Sequence, residues 1–317
     1  MYRISKNKET MKSIVMVIVA MFAFIGFSFS PGFLNCRPDA NNILIKSDTL
    51  LIDGGKKEKM SFNPDLPAVD QARLLLRNIQ LMGKVSNDLA VIDSGFAMRV
   101  GKTCEITRDQ LRSYLEKYHI NEWEIGGSID MPVSTVTDIN GNVTYAKYMV
   151  FHDTSFPRYG KSGFPNNIND DSWEWNHLNR WLTNVTHIFV NRIGESKTMT
   201  PFSEGMTATK LERYVMGDAA SKGLYLHIEM IQPRATMKGY GRHNDVDAPD
   251  PGFTDDQYRR LALIYTAAGV RKGSYLIPAF HACVDSNIRN AHDDPQNFDL
   301  KKFFSILNGV WKEIEKK

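Results

Sequence analysis

At 317 residues the chain has room for one large domain or two ordinary ones. Its composition, 42% apolar and 24% charged, is that of a globular protein. A formal net charge of +3 is too mild for the clustered basic face of a nucleic-acid binder, so no nucleic-acid partner is expected.

In chain order, Arg3, Lys6, Lys8 and Lys12 precede an apolar run from Ile14 to Phe27, which is short for a membrane span and suits the core of a signal peptide. Ser28-Phe29-Ser30 offers a cleavage site, Leu34-Asn35-Cys36 offers lipid attachment at Cys36, and an uncleaved anchor is the third possibility. All three put the rest of the chain outside the cytoplasm, in the periplasm or cell envelope. Residues 1–36 are therefore read as a leader, 37–140 as an α+β region of unassigned role, and 141–317 as the main domain. With Cys36 removed or lipidated, Cys104 and Cys283 either pair in an oxidising compartment or remain as two buried thiols.

Ile43 to Ile52 reads as a strand, and Ala68 to Met82 as a helix stopped by Gly83. Leu89–Ile92 and Phe96–Val100 read as two short strands. Thr107-Arg108-Asp109-Gln110 has capping-box spacing ahead of the apolar face Leu111, Tyr114, Leu115 and Tyr118. Asn140-Gly141 between two β-rich arms predicts a hairpin, its second arm running on to His152. Residues 158–181 are loop-like and carry Trp173, Trp175 and Trp181. Val185–Val190 and Gly223–Met230 read as strands, and Thr254-Asp255-Asp256-Gln257 caps a helix through Ala268. Tyr275–Phe280 reads as a strand. A final helix from Asp299 buries Phe303, Phe304, Leu307, Val310, Trp311 and Ile314. From residue 143 onward the order is β, β, β, α, β, α, which predicts an α/β fold with a mixed central sheet and helices packed on it. No Gly-rich phosphate loop joins a strand to a helix, so nucleotide binding has no support.

His152 ends the apolar run Tyr148–Phe151, His281 ends Ser274–Phe280, and Asp294 follows in His292-Asp293-Asp294-Pro295. Two imidazoles and a carboxylate at strand ends are what a catalytic zinc takes from a protein, leaving a fourth position for water. If they meet, the chain is a hydrolase. Asp293 and Cys283 compete for the third place. His227 and Glu229 share one face of their strand, where Glu229 suits a general base and His292 a group that polarises a carbonyl.

These motifs, in this order, resemble those of the zinc-dependent N-acetylmuramoyl-L-alanine amidases of the type-2 class, which share their fold with peptidoglycan recognition proteins and phage amidases. The resemblance is carried by Phe151-His152-Asp153-Thr154-Ser155, Val185-Thr186-His187-Ile188, Leu226-His227-Ile228-Glu229, Pro251 to Tyr258, Ile277 to His281 and Asp293 to Leu300, across residues 143 to 310. It implies zinc held by His152, His281 and Asp294, with Glu229 and His292 catalytic. It further implies a peptidoglycan or muropeptide substrate met by His187, Trp173 and Trp175. The alternatives are a non-catalytic peptidoglycan-binding module of the same fold, or an unrelated metal hydrolase. Gln296 departs from the family's glycine after the proline, and the usual His-Ala-Gly after the second strand is absent, Met206 to Lys210 standing near there.

Overall fold

The computed structural model describes residues 60–182, 185–239 and 245–316, and the backbone of two short paired strands, Leu51–Ile52 and Lys56–Lys57. The expected leader, Cys36 and most of the Ile43–Ile52 strand lie outside these residues. The central sheet has five strands: β1 (Tyr148–Asp153), β2 (Ile188–Val190), β3 (Ser196–Thr198), β4 (Tyr225–Met230) and β5 (Ile277–Phe280). Their spatial order is β5-β1-β4-β2-β3. The first four are parallel, and β3 is an antiparallel edge. Every residue of β1, β2 and β5 is buried, which explains their unbroken apolar runs: a parallel sheet covered on both faces has no solvent side to alternate with.

The main helices are α1 (Ala68–Leu75), α2 (Arg108–Lys117), α3 (Asp255–Lys272), α4 (His281–Val284) and α5 (Leu300–Glu315). Both expected capping boxes form: Thr107 and Thr254 accept from the backbone of Gln110 and Gln257, whose side chains bond back. α3 runs past Ala268 to Lys272 and ends where Gly273 turns left-handed. α5 buries the six residues expected of it.

One hydrophobic core runs from Phe62 to Ile314, across the boundary expected near residue 140. Phe96 lies 4.6 Å from Phe304, ring to ring, and Arg271 of α3 donates to the carbonyls of Gly126, Met131 and Pro132.

Three local expectations are corrected, and the alternative left open for the two cysteines is decided. α1 stops at Leu75 rather than Met82, because Ile79 turns back to bridge Val85, with Met82 and Gly83 at positive φ. Neither 89–92 nor 96–100 is a strand: the first is irregular, and the Asp93 carboxylate caps a short helix, Ser94–Ala97, which drops Phe96 into the core. The hairpin Thr135–Thr137/Val143–Tyr145 forms, but it is a separate two-stranded sheet, and β1 begins afresh where Lys147 and Tyr148 donate to Leu224. Cys104 and Cys283 are both free thiols.

Candidate metal centre

β1 and β5 are parallel neighbours in the register Phe151↔Phe280, so the next residue of each, His152 and His281, lies at the same end of the sheet. Asp294 returns to them on the loop after α4. Its carbonyl accepts from Ala282 (2.9 Å), and its carboxylate accepts the Asp153 N–H (3.2 Å). The loop is clasped a second time: Gln296 N–H donates to Asp153, whose carboxylate takes two bonds (2.7 and 2.8 Å) from the buried Arg234. The Gln296 side chain donates to Asp293 at 2.8 Å, and Gly83 packs so closely on Asp293 that a Cβ there would collide with it.

His152 Nδ1 and His281 Nδ1 are 2.9 Å apart. Asp294 oxygens lie 3.1 Å from His281 Nδ1 and 3.7 Å from His152 Nδ1. Ligands roughly 2.1 Å from a tetrahedral ion sit about 3.4 Å from one another, the scale of this triangle. All three residues are buried, and their donor atoms are grouped as they would be around a metal ion. Glu229 belongs to the same chamber, opposite His152 in the sheet register, with Oε1 3.9 Å from His152 Nδ1 and Oε2 buried without a hydrogen-bond partner.

The electrostatics of the cluster favour positive charge. Burial would lower the His281 pKa, but Asp294 and Asp285 overcome it and push it up to about 10. Burial, then repulsion from His281 and His227, drives His152 well below the usual imidazole range. Burial raises Asp294, yet the attraction of His281 wins and holds it low. Glu229, desolvated and facing Asp294 and Asp153, is raised far above the usual carboxylate range. Two acidic groups and two ring nitrogens thus compete for whatever positive charge enters, a donor set that fits a divalent cation.

Each histidine is oriented from behind. His281 Nε2 lies 3.1 Å from Asp285 Oδ2. The Asp285 carboxylate is anchored by the N–H groups of Lys210 and Leu211, and hydrogen bonds from His281 and His292 outweigh its burial and keep it well below its usual range. His152 Nε2 meets His227 Nδ1 at 3.1 Å. His227 Nε2 in turn lies 3.3 Å from Glu212 Oε2. His292 stands at the mouth, its side chain 46% exposed, with its ring centre 4.1 Å from that of His281 and Nδ1 3.5 Å from Asp285.

Two expected substrate contacts are corrected. His187 is fully buried: Nδ1 accepts from His227 N–H, Nε2 donates to the Glu204 carbonyl, and burial lowers its pKa to about 3. It therefore has no surface to offer a substrate. Trp173 is 3% exposed, and its N–H is spent on the Tyr159 hydroxyl, so it packs a small satellite core with Ile168 and Ile231. Trp175 remains half-buried, in edge contact with the exposed Phe156 and with Trp181, and under the Arg180 guanidinium. Glu212, Asp285 and the Asp153–Arg234 pair were missed by sequence reasoning. Only Glu212 carried a signal, since Thr209-Lys210-Leu211-Glu212 has capping-box spacing.

A groove of about 950 Å³ nearby is lined by Ile79, Leu89, Val91, Phe280, Pro295 and Phe304, and includes none of the cluster residues. No protein-family model matches the chain, and no curated protein matches it. Among solved structures, the crystal structure of a selenomethionine AmpD derivative aligns with 57% of this chain and 97% of its own, at 16% identity and a TM-score of 0.30. A likeness that slight carries no argument about what this chain does.

Proposed function

We propose that this chain is an exported zinc-dependent amidase that hydrolyses the bond between N-acetylmuramic acid and L-alanine in peptidoglycan. The observation that carries the proposal is the convergence of His152 Nδ1, His281 Nδ1 and the Asp294 carboxylate at 2.9–3.7 Å, with the unpartnered Glu229 oxygen in the same chamber. The choice of substrate comes from the ordered motifs between residues 143 and 310. A zinc ion held by the three residues supplies Lewis acidity to an amide carbonyl and to water.

The chain's own groups account for the rest. Glu229 is the one carboxyl there with a buried oxygen that makes no hydrogen bond, so it takes the proton of the attacking water and returns it to the leaving nitrogen. His292, exposed at the mouth, is assigned to the developing oxyanion. Phe156 and Trp175 present apolar ring surface four and more residues beyond His152, suited to the substrate's flanking groups.

The test is digestion of purified peptidoglycan. Free L-alanine amino termini should appear, and a chelator should abolish them. Reducing ends without new amino termini, or undiminished activity in metal-free protein, would overturn the reading.

A further inference from the structure

Behind the cluster runs a chain of buried rings that reaches a carboxylate on another segment. Glu212 is fully buried on the single wide helical turn Leu211–Met216. Its Oε2 accepts from the N–H groups of Ala208 (3.1 Å) and Thr209 (2.9 Å) and from the Thr209 hydroxyl (2.9 Å), which leaves Oε1 buried without a hydrogen-bond partner. Three donors on one oxygen fix the carboxylate, and that oxygen faces His227 Nε2 at 3.3 Å. His227 Nε2 makes no hydrogen bond of good geometry among the described residues, so its approach to Glu212 Oε2 is a charge contact. A ring lone pair turned toward a carboxylate oxygen 3.3 Å away is repelled by it, so the His227 ring hydrogen belongs on Nε2. His227 Nδ1 is then an acceptor, and the atom it accepts from is His152 Nε2, 3.1 Å away. With its hydrogen drawn to Nε2, His152 turns a bare Nδ1 toward His281 and Asp294.

The same turn serves the second histidine. Asp285, which faces His281 Nε2, has its carboxylate pinned by the N–H groups of Lys210 and Leu211 at 3.1 and 2.9 Å. One short segment, 208 to 212, therefore fixes both carboxylates that orient the two cation-facing rings. Carboxylates placed behind metal-ligating imidazoles raise their basicity and fix their tautomer. Here one of them works through an intervening histidine.

We infer that Glu212 is a positioning residue for the cation site: through His227 it holds the ring hydrogen of His152 on Nε2 and keeps Nδ1 free for the metal. This rests on the cation reading of the cluster, but it concerns a residue that touches neither metal nor substrate. The experiment uses the full chain labelled with ¹⁵N-histidine, read in two ways. The first is the ring-nitrogen spectrum of the metal-free protein. The second is zinc affinity by competition with a chromophoric chelator. The unaltered protein should show a bare Nδ1 and a protonated Nε2 at His152. E212A should let the Nδ1–H form of His152 appear and weaken zinc binding roughly 10–100-fold. E212Q keeps an acceptor oxygen beneath the same three donors and should retain both the tautomer and most of the affinity. H227F, which keeps an aromatic ring in the stack and breaks the relay, should behave like E212A and guards against a fold defect peculiar to that variant.

A role confined to stability would lower the melting temperature of E212A while leaving the His152 spectrum and the zinc affinity of folded protein unchanged, and that result overturns the inference. Equal losses in E212A and E212Q with an unaltered tautomer overturn it too. Failure of the unaltered protein to bind zinc would sink the proposed function instead, and the spectrum of the metal-free protein would then decide the relay by itself.

Discussion

His281 is the residue on which the site turns, because it faces a carboxylate from either ring nitrogen. Its pKa, pushed up to about 10 from an ordinary 6.5, means the proton is bound more tightly in the folded state than in the unfolded one. Its contribution to metal-free stability is therefore complete below pH 6.5 and is lost as pH rises through about 10. On the proposed reading, zinc takes the place of that proton. The melting temperature in chelator should fall from neutral pH towards 10, and the gain from saturating zinc should widen over the same window. A gain that shrinks as pH rises would contradict the ligand assignment. H281A should abolish zinc retention in a metal assay, from about one ion per chain to none, and peptidoglycan cleavage should go with it. How far single residues were legible follows from where their partners lie. His152, His281 and Asp294 could be read because each closes an apolar run or adjoins a proline. Asp285 and Arg234 could not, since their meaning comes from segments tens of residues away. His187 was misread because a histidine in a strand looks the same whether its ring faces solvent or the core.

The elements that carry the site are held by ionic and capping contacts as much as by apolar packing. The Asp153–Arg234 pair joins the end of β1 to the segment after β4, and through Gln296 N–H it also grips the Asp294 loop. Both side chains are almost wholly buried, so R234M should cost about 3–5 kcal/mol by stranding a charge. It should also weaken zinc binding without altering any ligand. Urea denaturation and the chelator competition check the two effects separately. T254A removes the box that starts α3 and a bond to the Arg192 carbonyl, and should cost about 1 kcal/mol in the same denaturation with little effect on zinc. Apolar patterning revealed the four parallel strands and the three long capped helices. It overlooked the edge strand β3, only three residues of Ser, Lys and Thr, and the wide turn at Leu211–Met216, whose shape answers to Asp285 and Glu212 rather than to local propensity. It also prolonged α1, where the bridge between Ile79 and Val85 outcompetes helical continuation.

At the scale of the whole molecule, residues 60–140 are part of the same packed interior as the strands that bear the histidines. Phe96, Leu111, Tyr114 and Ile125 are buried in the core that also holds Trp311 and Phe304, and Arg271 closes the carbonyls of residues 126 to 132. Residues 141–317 expressed alone should therefore show no cooperative unfolding transition, whereas a chain beginning near residue 41 should show one. A sharp transition in the shorter piece would mean the shared interior is dispensable. The segment from Tyr159 to Trp181 packs a small core of its own around Trp173, Ile168 and Ile231, tied to the sheet by bonds from Asn191 and Arg192 to Asn176 and Asn169. Its amides should trade hydrogen for deuterium before those of β1 and α3 do. On the proposed reading, the aromatic surface that meets substrate sits on a segment with a small core of its own, so selection for new cargo can rewrite it without disturbing the three residues that face the cation.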